Sequence, residues 1–296
     1  ILVQAESGDK GGSPRDLPRA EVPDTLDALM VKDACTALEH GAKMQLSYNV
    51  ENTQRAIGTR LSSHIVRRFG MNGLREGHIS VRLRGSAGQS MGAFATQGLR
   101  LDVIGDANDY VGKGLSGGMI TVRPSAAANF VAHENTIIGN TVLYGATSGK
   151  LFAAGQAGER LCVRNSGATA VVEGAGTNAC EYMTGGQVVI LGEVGNNFGA
   201  GMTGGMAFIY DSGDSFMDCV NPASLEIHRI ASAHWAHVLR SLVEEHVRQT
   251  ESALGSLLLN EWETELPKFW QVVPTEIVPI LEHPIDDSDR ATAKTA

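Results

Sequence analysis

His78-Ile-Ser-Val-Arg-Leu83, Leu99-Arg-Leu-Asp-Val-Ile104, Met119-Ile-Thr-Val122, Leu151-Phe-Ala153, Thr169-Ala-Val-Val172, Gln187-Val-Val-Ile-Leu191 and Met206-Ala-Phe-Ile-Tyr210 are seven short apolar runs, each opened by a glycine. Those glycines are Gly77, Gly98, Gly118, Gly149, Gly167, Gly186 and Gly205, at steps of 21, 20, 31, 18, 19 and 19 residues. The long step holds an insertion of twelve residues, Pro124 to Asn135, and without it the step is 19. Self-similarity at a fixed period is the mark of a repeat architecture. The first two runs alternate apolar with polar, as half-buried strands do, and the later ones are apolar throughout, as buried strands are.

Weaker segments lie between the runs, among them Asn140-Thr-Val-Leu-Tyr144 and Arg160-Leu-Cys-Val-Arg164. No segment between 77 and 211 has the length or period of a crossover helix. The expectation is therefore an all-β core: a single-stranded parallel β-helix of about seven coils, with α-helices flanking both ends.

Composition agrees with a narrow aliphatic interior. Of 296 residues 43% are hydrophobic and 5% aromatic, and 35 are glycine. The net charge of −9 argues against nucleic acid as a partner. No apolar run approaches the ~20 residues of a membrane span, and no signal peptide is legible. Cys35, Cys162, Cys180 and Cys219 form no C-x-x-C, which disfavours a disulfide framework, zinc or an iron–sulfur site and fits a reducing cytoplasm. The first residue is Ile1, as processing, a cloning boundary or membership of a longer polypeptide would each give.

Residues 1 to 23 read as a polar linker and 24 to 76 as helices with a short strand. Asp24 is placed as the cap of a first helix carrying Leu26, Leu29, Met30 and Leu38 and stopped by Gly41. Met44 to Val50 alternates as a strand. A second helix, with Asn52 as its cap, buries Ile57, Leu61, Ile65 and Phe69 on one stripe. Its opposite face holds Arg55, Arg60, Arg67 and Arg68, and Arg75, Arg82 and Arg84 follow. That face is either a solvated surface with local ion pairs or a docking face for an acidic partner domain. From Pro222 a helical region carrying Ile230, Ala233, Leu239, Leu242, Val243 and Val247 is expected to cover an end of the repeat. A further helix spans Glu251 to Glu265, and Phe269 to Pro274 is extended. The cap runs from 222 to 285, and 286 to 296 reads as a disordered tail.

Candidate chemistry is thin. Gly112-Lys-Gly-Leu-Ser-Gly117 and Gly199-Ala-Gly-Met-Thr-Gly204 match G-x-G-x-x-G, but each precedes a strand instead of a helix and each falls at the same phase of the repeat, so both read as turns. His228, His234, His237 and His246 cluster, with His234 and His237 one turn apart, yet nothing completes a tetrahedral metal set. Asp106, Asp109, Glu173 and Glu181 recur near corners, where turn roles outweigh acid–base chemistry. No catalytic, cofactor-binding or metal-ligating residue is assigned.

Met44-Gln-Leu-Ser-Tyr-Asn-Val50 with the residues up to Ser63, Leu83 to Phe94, Gly105-Asp-Ala-Asn-Asp-Tyr110 up to Gly118, Asn135 to Ala146, Glu181-Tyr-Met-Thr-Gly-Gly186 and Lys268-Phe-Trp-Gln-Val-Val-Pro274 are similar to the C-terminal, glycine-repeat (GXGXG) domain of the glutamate synthase large subunit. The likeness runs from about Val22 to Pro284. It implies a right-handed β-helix that holds other domains together in an NADPH-dependent enzyme making two glutamates from glutamine and 2-oxoglutarate. It also implies an amidotransferase domain, a domain with FMN and an iron–sulfur cluster, and a small FAD subunit, all outside this segment. The expectation is a scaffold that binds no cofactor itself. Two other readings stand beside it: a free-standing glycine-repeat subunit of formylmethanofuran dehydrogenase or N-methylglutamate synthase type, and a carbohydrate-active β-helix.

Overall fold

The structure is a computed structural model that describes residues 23–286. The expected linker, apart from Pro23, and the expected tail, apart from Asp286, lie outside the described residues. In chain order the elements are α1 (Leu26–Asp33), α2 (Cys35–His40), β1 (Met44–Val50), α3 (Thr59–Phe69), β2 (Ile79–Ala87), β3 (Leu99–Ala107) and β4 (Ser116–Arg123). Then come β5 (Thr136–Ile138), β6 (Ser148–Ala153), β7 (Gln156–Ala157), β8 (Ser166–Val172), β9 (Thr184–Ile190), β10 (Gly204–Tyr210) and α4 (Phe216–Cys219). The chain continues through β11 (Leu225–Arg229), α5 (Ala233–Thr250), α6 (Ala253–Asn260), α7 (Trp262–Glu265) and β12 (Phe269–Pro274).

All seven glycine-led runs are strands, and they pair in parallel in sequence order. The expected all-β, single-stranded parallel β-helix is nevertheless corrected. The fold is mixed α/β, with several α-helices and one 12-stranded, mostly parallel sheet: ten strands run in the order β1-β2-β3-β4-β6-β8-β9-β10-β12-β11, and off that path β5 pairs with β3 and β7. Strands from outside the glycine stretch extend the sheet at both ends. β1 adds in parallel to β2, whereas β12 runs antiparallel to β10 and β11 antiparallel to β12. The twelve-residue insertion does not interrupt the pairing: Met119 to Val122 pair with Lys150 to Ala153 across it.

The intervening segments account for the difference. Asn140 to Tyr144 and Arg160 to Arg164 are turns. Their apolar alternation comes from a backbone in which every second residue is left-handed: Thr141 and Leu143 have φ of 59° and 58°, and Arg160, Cys162 and Arg164 of 63°, 60° and 55°. The residues between, Val142 and Leu161, point into the core and are fully buried. A period of two is thus produced without a pleat.

Two cores flank the sheet. One face buries Ile79, Val81, Leu83, Leu99, Leu101 and Val103 with the turn residues Met91, Val111 and Val142, and is closed by Met30, Leu61 and Ile65 from α1 and α3. The other face, from Met119 through Phe152, Val171, Val189 and Phe208, is covered by Trp235, Leu239, Leu242 and Val243 of α5 and Leu258 of α6. Each fully buried Leu, Val or Ile contributes roughly 1.5–3 kcal/mol.

Several local expectations also change. Thr25, not Asp24, precedes α1; the Asp27 carboxylate instead accepts from the amides of Gly58 at 2.8 Å and Arg60 at 2.7 Å, where α3 begins. Gly58, not Asn52, caps α3, and Ile57 is buried just ahead of it. A short 3₁₀ turn and β11 follow Pro222, so the helical cover begins at Ala233. Among the described residues no helix is long and apolar enough to cross a membrane.

Candidate functional site

The glycine signatures form ladders. Gly112 donates its amide to Met91 O at 2.9 Å on one side, and Gly114 donates to Tyr144 O at 2.8 Å on the other. Gly199 repeats the pattern, donating to Ala179 O at 2.9 Å. These amides therefore stitch one repeat to its neighbours. A phosphate cradle needs them free and followed by a helix; here β4 and β10 follow.

The carboxylates singled out by the sequence are also committed to structure. Asp106 accepts from Ser86 Oγ at 2.9 Å, Asp109 from the Asn140 amide at 2.8 Å, and Glu181 pairs with Arg160 at 3.1 Å. Asp109 thus bonds the backbone of the next turn. The histidines separate. His228 sits 3.1 Å from Glu226 on β11, His234 stacks on His283 with ring centroids 3.6 Å apart, and His237 is exposed. Among the described residues no three His, Cys, Asp or Glu side chains come together as a metal site.

Three polar ties were not legible in the sequence. Glu173 at the end of β8 is buried and accepts from Ser252 Oγ, with His246 Nε2 at 3.4 Å. It thereby pins the α5–α6 junction to the sheet. Asp211, just past β10, accepts from the Ser215 and Phe216 amides at 3.0 and 3.2 Å and from the Trp270 indole at 2.9 Å. Burial acts to raise its carboxyl, but those donors and the Arg229 guanidinium outweigh it and hold the group below its ordinary value. Glu265 binds Lys268 at 2.8 Å and the Tyr210 hydroxyl, and both partners hold its carboxyl down. Glu173 and Asp211 line a cavity of about 550 Å³ with Glu193 and His133.

The Arg face is present. Arg55, Arg67 and Arg68 are exposed, and Arg60 is half-buried with Asp24 at 3.8 Å. Arg68 reaches Glu39 O at 3.3 Å. With Lys32 and His64, Arg67 and Arg68 line a groove of about 470 Å³ floored by Val31 and Leu38, between the first two helices and α3.

Among the described residues neither the cysteines nor the turn amides named above form a ready site for an iron–sulfur cluster or an FMN phosphate. An iron–sulfur cluster takes four thiolates. Here Cys162 and Cys180 are buried with burial pushing both thiols up, Cys35 is exposed, and all four cysteines are free. The Gly112, Gly114 and Gly199 amides are spent between repeats.

The family model described as GXGXG motif matches residues 27–275. The chain is 60% identical over 284 residues, 96% of its length, to the glutamate synthase [NADPH] large chain of Azospirillum brasilense. It is 48% identical over 84% of its length to ferredoxin-dependent glutamate synthase 2 of a Synechocystis strain, and 45% identical over 87% to glutamate synthase [NADH] of Schizosaccharomyces pombe. It spans 19%, 16% and 12% of those proteins, so it corresponds to a small part of each. On the match of the GXGXG model to most of its length, the chain belongs to the GXGXG motif family.

Proposed function

We propose that this chain is the structural domain of a glutamate synthase large subunit, holding an amidotransferase domain and an FMN-binding domain in working register. The observation that carries the reading is 60% identity across 96% of the chain to a glutamate synthase [NADPH] large chain. The whole enzyme would make two glutamates from glutamine, 2-oxoglutarate and NADPH in the cytoplasm. Its FMN and iron–sulfur cluster would sit in other domains, and a small FAD subunit would deliver the electrons.

The scaffold role is supported by how the polar groups are used. Glu173, Asp211, Glu265 and Asp27 each hold two or more structural partners, and the turn amides bind neighbouring repeats. None is left poised for general acid–base work. Arg55, Arg60, Arg67 and Arg68 are the proposed docking residues, presenting cations toward an acidic domain surface.

The test uses the complete large subunit with its small subunit. Glutamate formation from glutamine, 2-oxoglutarate and NADPH is expected, and its absence in a folded, cofactor-loaded preparation would overturn the activity. For the scaffold role, Asp106→Asn, exposed near the end of β3, is expected to leave kcat unchanged. A thousandfold loss in that variant, with the fold intact, would make this segment catalytic.

A further inference from the structure

The two ends of the sheet are finished differently. At the far end β11 is five residues long and carries Glu226, His228 and Arg229, charges of the kind that blunt an edge. β1 is seven residues long, contains no proline and pairs with β2 in unbroken register from Met44↔Ile79 to Val50↔Gly85. Among the described residues β2 is its sole strand partner.

The register decides which amides are open. Met44 donates to His78 O at 2.8 Å. In a parallel ladder the N–H and C=O of one residue face the same neighbour and those of the next face away. Leu46, Tyr48 and Val50 therefore turn toward β2, and Gln45, Ser47 and Asn49 turn outward. Their outward amides and carbonyls have no backbone or side-chain partner among the described residues.

The side chains add sign. Gln45, Ser47 and Asn49 are exposed and lie opposite Ser80, Arg82 and Arg84. A groove of about 860 Å³ opens beside them, lined by Lys43, Glu76 and Arg82. Its other carboxylate, Asp102, is held by Arg100 at 2.8 Å. Lys43, Arg82 and Arg84 are exposed cations on a chain whose net charge is −9.

The geometry points to the free edge of β1 as the seat of an added β-strand, supplied by a part of the same polypeptide outside residues 23–286 and carrying acidic side chains toward Lys43, Arg82 and Arg84. The source rests on the reading above that the chain is one part of a larger protein: it spans 19% of its Azospirillum relative, so about four-fifths of such a polypeptide lies elsewhere. Strand addition gives affinity through main-chain hydrogen bonds and specificity through alternate side chains. A neighbour about 4.8 Å from β1 puts its outer-face side chains within the span of an Arg on β2.

Residue-resolved hydrogen exchange on the complete large subunit tests this, and it needs no turnover, so a failure of glutamate formation leaves it separate. The Gln45, Ser47 and Asn49 amides are expected to exchange about a hundredfold or more slower than in an unstructured chain, at every protein concentration. Fast exchange at those three, with Leu46 and Tyr48 slow, would overturn the proposal. So would protection that vanishes on dilution, which would assign the edge to a second copy. Ser47→Pro removes one outward N–H, a place where an edge strand tolerates proline. It is expected to return Gln45 and Asn49 to fast exchange with Leu46 and Tyr48 still slow; continued protection of Gln45 and Asn49 would sink the added strand. If the variant unfolds β1, the wild-type pattern alone decides.

Discussion

Gly105 shows how closely the repeats approach. Its φ is 147°, and a Cβ built there would lie 2.1 Å from Gly85 O in the neighbouring strand. No L side chain relieves that contact, because the obstacle is backbone paired in register, Gly85 with Gly105. Gly105→Ala is expected to lower stability by on the order of 3 kcal/mol, read as a drop in the unfolding midpoint. Arg164 is the opposite case: it is exposed, yet held at φ 55°. A left-handed L residue costs roughly 1–2 kcal/mol, more than the entropy a glycine loses on folding. Arg164→Gly is therefore expected to raise stability by about 0.5–1 kcal/mol, and a lowered midpoint in thermal unfolding would contradict it.

Elements are joined by buried polar ties. Glu173 is 2% exposed and His246 fully buried, so truncating the carboxylate leaves an imidazole and a hydroxyl without their acceptor. Glu173→Ala is expected to cost about 3–5 kcal/mol and to loosen α5 and α6 ahead of the strands, seen as faster exchange in residues 233–260. Asp211 makes the acid limb predictable. Its folded-state carboxyl is held below the ordinary value, so its stabilisation is present above about pH 4 and is lost as pH falls through the folded value. Asp211→Asn is expected to cost roughly 1–3 kcal/mol near neutrality and to flatten the decline in stability below pH 4. An unchanged acid limb in urea unfolding would argue against it. The strands were legible because a buried run after each glycine repeats in the sequence itself. The sheet's composition was not, because left-handed turns at Thr141 and Arg160 imitate strand alternation. The ties were hidden for a different reason: Glu173 and Ser252 are 79 residues apart, and no local pattern marks such a pair.

At the scale of the whole molecule, the acidic chain sets a run of arginines, Arg55 to Arg84, on α3 and β2 and the segments beside them. α3 presents Arg67 and Arg68 over a groove floored by Val31 and Leu38, and β2 presents Arg82 and Arg84, both exposed. The sequence marked this face by its run of arginines but not the groove, because Val31 and Leu38 come from helices that precede β1. Exposed cations with modest local pairing add little to the stability of the segment that carries them, so their effect should appear where domains meet. Arg67→Glu with Arg68→Glu in the complete large subunit is expected to leave the unfolding midpoint of residues 23–286 almost unchanged. Glutamine-dependent glutamate formation should fall about tenfold, more steeply at low salt, because reversed charge repels an acidic partner surface. Glutaminase turnover should persist, since the ammonia-releasing chemistry is proposed to lie in another domain. Equal losses in both activities, or no loss in either at any salt concentration, would remove this face from the docking surface.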